Sequence, residues 1–495
     1  MNKLLNKEIY RTINEAKEGE LEQLEERSKS DYWKPEFHIH PSFGLMNDPN
    51  GLAYFNGEYH VFYQWHPFGP VHNMKHWAHV KSKNLVNWQR MPIAIIPNND
   101  FDSHGAFSGG AIEIEDKLYL YYTGNIIYED LSMNANQCLA IMDKEYKITK
   151  YKENPLINGT REGYTGHVRD PKVWKENQTY YMLLGAQRKN ETGTLIIYES
   201  GDGINWSFKG EVISNIPLEG YMWECPDYFK LDGKDILVFS PQGVKQKGHD
   251  FQNLYNVVYV IGKFSLENLE FKVESIYEVD KGFDYYAPQS FEDSKGRRIQ
   301  IGWAGMGEMD YPSDKNSWAH CLTIPRELIL IDNKIFQVPV EELKLLRLNE
   351  EREYGEVVKE QKTLECFGRS IELEINIKEI NCNSFGVKLF NSEEEEGLDI
   401  QFNKNNKEVI VDRASFINYF GGEYGNRRTA ELDIKDEINL RIFSDNSIVE
   451  IFINGGELVF TQRIFPLKTS HKVCIYSDGK VIYDIKKYDM GRGIV

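Results

Sequence analysis

Cysteine is scarce in this sequence, with six residues in 495, and the six are scattered along the chain. No Cys-x-x-Cys pair is present, which argues against a disulfide scaffold and against a structural zinc site. The sequence also lacks a His-Glu-x-x-His motif, a Ser-His-Asp signature and a glycine-rich nucleotide loop. We therefore expect neither a metal nor an organic cofactor, and we expect the thiols to reside in the reducing cytoplasm.

Long apolar runs and excess positive charge are also missing. A membrane-spanning helix needs about 18 or more consecutive apolar residues, and the sequence contains no such run. Residues 1–30 lack the apolar stretch and the small-residue cleavage site of a secretory signal. The formal net charge is -18, whereas nucleic acids and anionic membranes attract positively charged surfaces. We expect a cytoplasmic protein with a small-molecule partner, no nucleic acid and no membrane, and the oligomeric state is left open.

Aromatic residues are abundant, with 29 Tyr, 26 Phe and 9 Trp, and many lie in short alternating segments typical of β-strands. Within residues 33–340 a hairpin pattern recurs five times at a period of roughly 60 residues. The copies begin at Asp48, Phe107, Arg169, Glu224 and Tyr285. Each hairpin is followed by further strand-like segments, which predicts five sheets of about four strands each. We therefore predict an all-β protein in which residues 33–340 form a five-bladed β-propeller.

The two ends of the chain differ from this repeat. Residues 1–32 carry charges at helical spacing and predict an N-terminal helical extension. Residues 341–352 predict a short helical linker. Residues 353–495 return to short alternating strands without the earlier motifs, which predicts a C-terminal β-sandwich.

Three carboxylates, Asp48, Asp170 and Glu224, lie in the first strands of the predicted blades. First strands line the central channel of a propeller, so we expect the three side chains in one pocket. Two carboxylates in different environments can serve as nucleophile and general acid. The asparagines around Asp48 favour its ionised form, and the apolar neighbours of Glu224 predict a raised pKa. Arg169 beside Asp170 favours a permanent anion there.

The motifs MNDPNG, FYQW, HWAHVKSKNLVNW, FSGG, RDP and WECPD follow one another in this order. With them, residues 33–340 resemble glycoside hydrolase family 32, which comprises invertases, sucrose-6-phosphate hydrolases and fructan hydrolases. The segment SIVEIFINGGE is similar to the C-terminal sandwich of that family. The resemblance implies a retaining β-fructofuranosidase on a five-bladed propeller. It implies that Asp48 is the nucleophile, Asp170 the stabiliser of the transition state and Glu224 the acid/base.

The resemblance also implies a set of side chains around the fructosyl ring. For each of them the alternative is an ordinary core residue of the propeller. The set is Asn47, Gln64, Trp77, Phe107, Ser108, Arg169, Tyr286 and Trp303.

One departure from the family pattern concerns the leaving-group side. Many members carry a tryptophan eight residues after the glutamine that matches Gln64, and this chain has His72 there. His72 and Lys75 make this side more basic and favour a phosphate over a neutral sugar. Arg188 and Lys189 follow a strand of the third blade. They could border the mouth of the same pocket and are further candidates for binding the phosphate. The alternative is a solvated loop with ordinary charges.

Three functional hypotheses follow. The first is a β-fructofuranosidase that hydrolyses sucrose 6-phosphate to glucose 6-phosphate and fructose. The second is an invertase or fructan β-fructosidase that acts on unphosphorylated substrates. The third is a non-catalytic carbohydrate-binding propeller, which we would expect to lack Asp48 or Glu224, and both are present.

Overall fold

The computed structural model describes residues 9–494, and this part of the chain is all-β. It contains 35 strands and one α-helix, α1 (Glu20–Lys29). Short 3-10 helices lie at Ile13–Glu15, Asp100–Asp102, Asp314–Asn316, Glu341–Leu346, Gly422–Tyr424 and Asn454–Gly456. None of the helices between residues 9 and 494 has the length and apolar character needed to cross a membrane.

Five sheets follow one another along residues 44–339. The first contains β1 (Gly44–Phe55), β2 (Glu58–His66), β3 (His76–Ser82), β4 (Trp88–Arg90) and the later β20 (Trp318–Ala319). The second contains β5 (Ala111–Ile114), β6 (Lys117–Ile127), β7 (Met133–Met142) and β8 (Ile148–Lys150). The third contains β9 (Tyr164–Glu176), β10 (Thr179–Arg188), β11 (Gly193–Ser200) and β12 (Ser207–Glu211). The fourth contains β13 (Ile213–Ser214), β14 (Met222–Leu231), β15 (Lys234–Gln242), β16 (Val258–Ser265) and β17 (Glu270–Glu278). The fifth contains β18 (Tyr286–Glu292), β19 (Arg298–Ala304), β21 (Cys321–Leu322), β22 (Arg326–Ile331) and β23 (Lys334–Pro339).

Tight turns and a parallel closure organise these sheets. The Asn56-Gly57 pair joins β1 to β2 with positive φ at both residues, as a two-residue hairpin turn with this sequence requires. Strand β20 returns to the first sheet and pairs in parallel with β1, with Gly44 opposite Trp318. The chain that follows β19 is therefore tied back to the first strand of the series.

Two six-stranded sheets form the C-terminal part. One contains β24 (Arg347–Val358), β26 (Ser370–Asn381), β31 (Glu437–Asp445), β32 (Ile448–Ile453), β33 (Leu458–Arg463) and β35 (Lys480–Met490). The other contains β25 (Gln361–Phe367), β27 (Ser384–Asn391), β28 (Leu398–Asn403), β29 (Glu408–Asp412), β30 (Arg427–Glu431) and β34 (Lys472–Ser477). Ile375 and Ile442 of the first sheet share one core with Val387 and Ile400 of the second, so the two sheets pack as a β-sandwich.

A fully buried charged network joins the sandwich to the preceding sheets. His38 Nδ1 lies 2.8 Å from Asp445 Oδ2, and His38 Nε2 lies 3.0 Å from Glu450 Oε1. Arg326 donates to Glu450 and to Asp280. Burial alone would lower the pKa of His38, but the hydrogen bonds and charges of Asp445 and Glu450 outweigh it and raise the pKa. The imidazolium form donates to both carboxylates, and the network favours it.

The two predicted helical segments are partly helical. In the N-terminal extension the helical residues are Ile13–Glu15 and α1, and residues 1–8 of that prediction lie outside the described part. Leu21 and Leu24 of α1 pack on the core beside the first sheet. In the predicted linker only Glu341–Leu346 is helical. Residues 347–352 belong to β24, because β35 offers them an antiparallel partner.

Candidate active site

A cavity of about 370 Å³ is lined by residues of β1, β9, β14 and β18 and of neighbouring segments. It contains all three predicted catalytic carboxylates, Asp48, Asp170 and Glu224. They come from β1, β9 and β14, which are far apart in sequence. The structure therefore brings together groups that the sequence distributes over more than 170 residues.

Strands β1, β9, β14 and β18 share a three-residue segment that ends in proline. In each strand at least one of the two residues before the proline lines the cavity, and the pairing register shifts by one residue at that point. Proline lacks the backbone donor that a regular ladder needs, so a bulge is favoured there and turns the preceding side chains towards the site. Asp170, Cys225 and Ala287, which each precede the proline, have positive φ. The four segments are Asn47-Asp48-Pro49, Arg169-Asp170-Pro171, Glu224-Cys225-Pro226 and Tyr286-Ala287-Pro288.

These segments show that the three carboxylates do not occupy equivalent positions in their strands. Asp48 and Asp170 occupy the position before the proline, whereas Glu224 lies one residue earlier, at the position of Asn47 and Arg169. Glu224 therefore reaches the cavity from a different level of the bulge than the two aspartates do. The place equivalent to Asp48 in the fourth sheet belongs to Cys225.

Asp48 is held by three donors. Ser108 Oγ donates to Asp48 Oδ2 at 2.5 Å, and Asn47 Nδ2 donates to Asp48 Oδ1 at 3.1 Å. The Cys225 thiol lies 3.5 Å from Asp48 Oδ2. Burial nevertheless raises the pKa of Asp48, with a further contribution from the charge of Glu224, while the three hydrogen bonds oppose the rise. The three donors favour the ionised form of Asp48, as expected from its polar neighbours, whereas removal of water by the cavity acts in the opposite direction.

Glu224 lies among polar side chains rather than among the apolar neighbours that its sequence suggested. Arg169 donates to Glu224 Oε1 from Nε at 3.0 Å and from a terminal nitrogen at 2.6 Å. Glu224 Oε2 accepts from Gln242 at 2.8 Å and from the Tyr286 hydroxyl at 2.7 Å. The two carboxylate oxygens are therefore fully engaged by cavity side chains.

Asp170 lacks the close arginine partner predicted for it. Arg169 Nε lies 4.0 Å from Asp170 Oδ2, and the guanidinium forms its hydrogen bonds with Glu224 instead. Asp170 Oδ2 accepts from the backbone of Cys225 at 2.9 Å. Burial raises the pKa of Asp170, Arg169 opposes this effect, and the charges of Glu224 and Asp48 add to it. Arg169 thus favours the anion at Asp170 less directly than its place in the sequence suggested, because its hydrogen bonds go to Glu224.

Six of the eight side chains predicted around the fructosyl ring line the cavity: Asn47, Gln64, Phe107, Arg169, Tyr286 and Trp303. Ser108 is buried behind them and links Gln64 Nε2, which donates to it at 2.6 Å, to Asp48. Trp77 does not line the cavity. It is fully buried, and its indole nitrogen donates to the carbonyl of Phe107 at 3.1 Å, so it supports the wall from behind.

The four predicted phosphate ligands divide into two pairs. His72 and Lys75 line the cavity, and the His72 ring stacks on Trp303 with 6.2 Å between ring centroids. Arg188 and Lys189 do not line it. The Arg188 guanidinium donates to Glu211 and to Thr194, which hold it on the outer side of the third sheet. The expectation that this second pair borders the mouth is therefore wrong.

Lys75 is unusual among the lining residues. It is 2% exposed, and its ammonium has no hydrogen-bond partner among the described residues. Burial lowers its pKa to about 7, while the charge of Asp48 acts in the opposite direction. Desolvation first and the charge of Lys75 second lower the pKa of His72 well below its usual range, although His72 is exposed at the mouth. A positive charge can therefore be supplied here by Lys75 rather than by His72.

Sequence reasoning missed several lining residues. Tyr10 comes from the N-terminal extension and packs edge-on against His104, with 4.7 Å between ring centroids. Gln242 lies opposite Met222 in the β14–β15 pair, next to Glu224, and His167 lies two residues before Arg169. The recurring proline could have indicated Cys225, but no local signal places Tyr10, because its position depends on how the extension folds back.

Three residues that line the cavity carry unsatisfied polar atoms. Asn47 Oδ1, Lys75 Nζ and Trp303 Nε1 are buried and have no partner among residues 9–494. Buried polar groups of this kind are normally paired, so these three offer an acceptor and two donors to a polar ligand. No group of three or more His, Cys, Asp or Glu side chains in the described chain is arranged to hold a metal ion.

Comparison with known proteins agrees with this geometry. The Glycosyl hydrolases family 32 N-terminal domain matches residues 38–339, and the C-terminal domain of the same family matches residues 342–489. The chain belongs to glycosyl hydrolase family 32. It is a glycoside hydrolase, and the resemblance inferred from the motifs is confirmed.

Three family 32 relatives illustrate the extent of the similarity. Sucrose-6-phosphate hydrolase of Staphylococcus xylosus is 39% identical over 492 residues, which are 99% of each chain. The structure of sucrose-6-phosphate hydrolase from Lactobacillus gasseri has a TM-score of 0.91 at 35% identity and covers 98% of this chain and 99% of its own. A β-fructofuranosidase of Bombyx mori in complex with sucrose has a TM-score of 0.84 at 30% identity and covers both chains fully (100%).

Proposed function

We propose that this protein is a retaining β-fructofuranosidase that hydrolyses sucrose 6-phosphate to glucose 6-phosphate and fructose. We infer a phosphorylated substrate from one observation: the ammonium of Lys75, in the cavity of the three carboxylates, is buried and has no partner among the described residues. An isolated buried cation is costly, and a phosphate group would offset that cost. The sucrose-6-phosphate hydrolases among its family 32 relatives support the same substrate.

We propose that the five sheets of residues 33–340 are the blades of a five-bladed propeller, followed by a sandwich domain at residues 353–495. In that arrangement the first strands β1, β9, β14 and β18 converge on one axis, which accounts for the shared proline bulges. The pairing of β20 with β1 supports ring closure. We also propose a cytoplasmic location, which the six unpaired thiols support.

We propose that Asp48 is the nucleophile. Its carboxylate attacks the anomeric carbon of the fructosyl unit, and the bond from that carbon to the glycosidic oxygen breaks. Glu224 gives its proton to the departing oxygen, so that glucose 6-phosphate leaves as a neutral alcohol at that position. The fructosyl unit is then bound covalently to Asp48.

In the second step Glu224, now a carboxylate, takes a proton from a water molecule. The water oxygen attacks the same carbon, the bond to Asp48 breaks, and fructose leaves with its original anomeric configuration. The contacts that Arg169, Gln242 and Tyr286 make with Glu224 hold its carboxyl group in place through both steps.

The fructosyl unit is proposed to occupy the inner end of the cavity. Asp170 accepts hydrogen bonds from its hydroxyl groups, and Asn47 Oδ1 and Trp303 Nε1 supply the acceptor and donor that are unpaired in the free protein. Ser108 and Gln64 keep Asp48 oriented towards this ring. Ligand hydroxyls that satisfy these atoms would also lower the pKa of Asp48 and Asp170, since hydrogen bonds to a carboxylate favour its charged form.

The glucose 6-phosphate unit is proposed to lie towards the mouth, between His72, Lys75 and Tyr10. Lys75 then contributes the charge, and the neutral His72 contributes a ring surface and one hydrogen-bond donor. Arg188 and Lys189 have no part in this proposal, because the third sheet holds them away from the cavity.

An invertase that prefers unphosphorylated sucrose is the second candidate. The Bombyx mori β-fructofuranosidase, solved with sucrose at 30% identity over the whole chain, supports it. The two candidates differ in what satisfies the Lys75 ammonium. Sucrose offers only neutral hydroxyls to that group, whereas the phosphorylated sugar offers a dianion.

The experiment is to supply purified sucrose 6-phosphate and to measure the release of glucose 6-phosphate with a coupled dehydrogenase. The wild type is expected to release it, and Asp48→Asn and Glu224→Gln are expected to lose at least about a hundredfold in kcat. Nuclear magnetic resonance of the first fructose released should show the β anomer. Release of the α anomer would contradict the retaining mechanism, and a wild type that leaves sucrose 6-phosphate intact would contradict the substrate.

A further inference from the structure

A second cavity, with a volume of about 560 Å³, opens where the N-terminal extension, strand β4 and two loops of the sandwich meet. We refer to it as the basic cavity. None of its lining residues lines the cavity of the carboxylates. Six cations surround it: Lys29, Lys34, Arg90, Arg369, Lys468 and Arg492. Such a concentration of positive charge is notable in a chain with a formal net charge of -18.

The two acidic side chains of the basic cavity do not balance these cations. Asp31 accepts from the backbone of Trp33 at 3.0 Å and from the indole of Trp318 at 2.7 Å, so both of its oxygens are engaged. Glu36 pairs with Arg492, at 2.7 Å from its Nε. At least three of the remaining cations must find other partners.

Lys34, Arg90 and Arg369 are half-buried, and each donates to a neutral carbonyl. Lys34 Nζ donates to Ser42 at 2.7 Å, Arg90 to His40 at 2.8 Å and Arg369 to Leu467 at 2.6 Å. Within residues 9–494 none of the three has a carboxylate oxygen within the 4.0 Å of an ion pair. Their contacts therefore fix the three groups in position without neutralising them.

Two aromatic contacts order the opposite wall. The Arg369 guanidinium lies over the Tyr32 ring, 5.2 Å from its centroid, and the Lys468 ammonium lies over the same ring at 4.9 Å. Lys468 has no carboxylate partner among the described residues either. Tyr32 thus places two cations from separate loops of the sandwich beside Lys34 and Arg90.

Mutual repulsion is the expected consequence of this arrangement. Burial first and the charge of Arg90 second lower the pKa of Lys34 to about 7. A bound anion would oppose both effects, because an opposite charge favours the protonated amine. The cavity is thus preorganised for negative charge, because its six cations outnumber the two carboxylates, Asp31 and Glu36, among the described lining residues.

We propose that the basic cavity binds an anion that carries a phosphate group, either inorganic phosphate or the phosphate of a phosphorylated sugar. Arg90 and Arg369 supply planar donors that suit two oxygens of a phosphate, and Lys34 and Lys468 supply point charges. The volume admits either source. Such a ligand bridges the N-terminal extension, the first sheet and the sandwich, and it stabilises their association because it binds the folded form.

The test uses the full-length protein in a phosphate-free buffer at constant ionic strength, with thermal unfolding and titration calorimetry as readouts. Inorganic phosphate should raise the melting temperature of the wild type and of Lys75→Met, in which the active-site ammonium is absent. The double variant Arg90→Gln/Arg369→Gln should lose at least about tenfold in affinity. Lys468→Gln, which removes an exposed side chain, should weaken binding without affecting folding.

Arg352→Gln is the matched control, because Arg352 is an exposed arginine of the sandwich that pairs with Asp484, outside the basic cavity. It should bind phosphate as the wild type does. Calorimetry at pH 7.5 in buffers of different ionisation enthalpy should show proton uptake on binding, since Lys34 becomes protonated. Glucose 6-phosphate in the Lys75→Met background separates the two sources: tighter binding than phosphate assigns the site to a sugar phosphate, and equal binding assigns it to inorganic phosphate.

The proposal is overturned if phosphate does not stabilise the wild type more than sulfate does, or if the double variant and Lys468→Gln respond as the wild type does. Hydrolysis of sucrose 6-phosphate is a separate readout, because the basic cavity shares no residue with the catalytic one. A failed phosphate titration with intact hydrolysis therefore refutes only this proposal.

Discussion

Replacing Lys75 with methionine removes the buried ammonium and keeps a side chain of similar length and volume. If Lys75 meets the phosphate of the substrate, the variant loses a charge-assisted contact of about 1.5 to 3 kcal/mol. This corresponds to a loss of roughly 10- to 150-fold in kcat/KM for sucrose 6-phosphate. Sucrose brings no charge to this group, so its kcat/KM should change by less than about threefold.

The same substitution should stabilise the free protein. The folded-state pKa of Lys75 is about 7, below its ordinary value of 10.5, so the protonated amine is disfavoured in the folded protein. That cost is absent above the unfolded-state pKa of 10.5, grows as the pH falls from there towards 7, and is complete below about 7. Lys75→Met should therefore raise the free energy of unfolding by on the order of 2 kcal/mol at pH 6, and by much less at pH 10.

The assay combines steady-state kinetics on both sugars with urea unfolding at the two pH values. Arg188→Met is the matched control, since Arg188 was a candidate phosphate ligand by sequence and lies outside the cavity. The control should leave the ratio of the two specificity constants unchanged. If Lys75→Met lowers kcat/KM for both sugars in parallel, or if it leaves both unchanged, the placement of the phosphate beside Lys75 is refuted.

Three further predictions concern the carboxylates and the domain contact. Glu224→Gln should retain fructosyl transfer to the enzyme from a fructoside with a good leaving group, whereas Asp48→Asn should not, and burst kinetics that are equal in the two variants would contradict the assigned roles. Burial raises the pKa of Asp48 and Ser108 opposes this effect, so Ser108→Ala should move the acidic limb of kcat/KM to higher pH; an unmoved limb would contradict the link. The raised pKa of His38 means that its stabilising contribution is complete below about pH 6.5 and is lost as the pH rises through the folded-state pKa. His38→Gln should therefore lower the free energy of unfolding by about 3 to 5 kcal/mol at pH 6 and by less at high pH, and a difference that does not vary with pH would count against a charged imidazole.

The regular features of the fold could be predicted from the sequence because they depend on local patterns. Alternating apolar residues and Asn-Gly or Asp-Gly turns define the hairpins, and their recurrence indicates repeated sheets. The three carboxylates could be placed in one pocket because they lie in equivalent strands. The recurring proline was a further local signal, and it would have shown that Glu224 lies one residue before the level of Asp48.

The electrostatics of the site could not be predicted, since they depend on contacts across the cavity. Arg169 adjoins Asp170 in sequence, yet the bulge directs its guanidinium to Glu224, 55 residues away. Arg188 follows a strand of the third sheet, yet Glu211 on β12 holds it outside. Tyr10 enters the cavity from the N-terminal extension, because the extension folds back over the first sheet and contacts His76 from Ile13. Sequence neighbours do not define such contacts.

The most direct test of the central claim is the ratio of kcat/KM for sucrose 6-phosphate to kcat/KM for sucrose in the wild type, measured from pH 6 to pH 9. We predict a ratio of at least about ten at pH 6, where Lys75 is protonated, since one charge-assisted contact supplies that much discrimination. The ratio should fall as the pH rises through the folded-state pKa of Lys75, which is about 7 without ligand and higher with phosphate bound. A ratio near one at every pH would contradict the account, because the enzyme would then show no preference for the phosphorylated sugar.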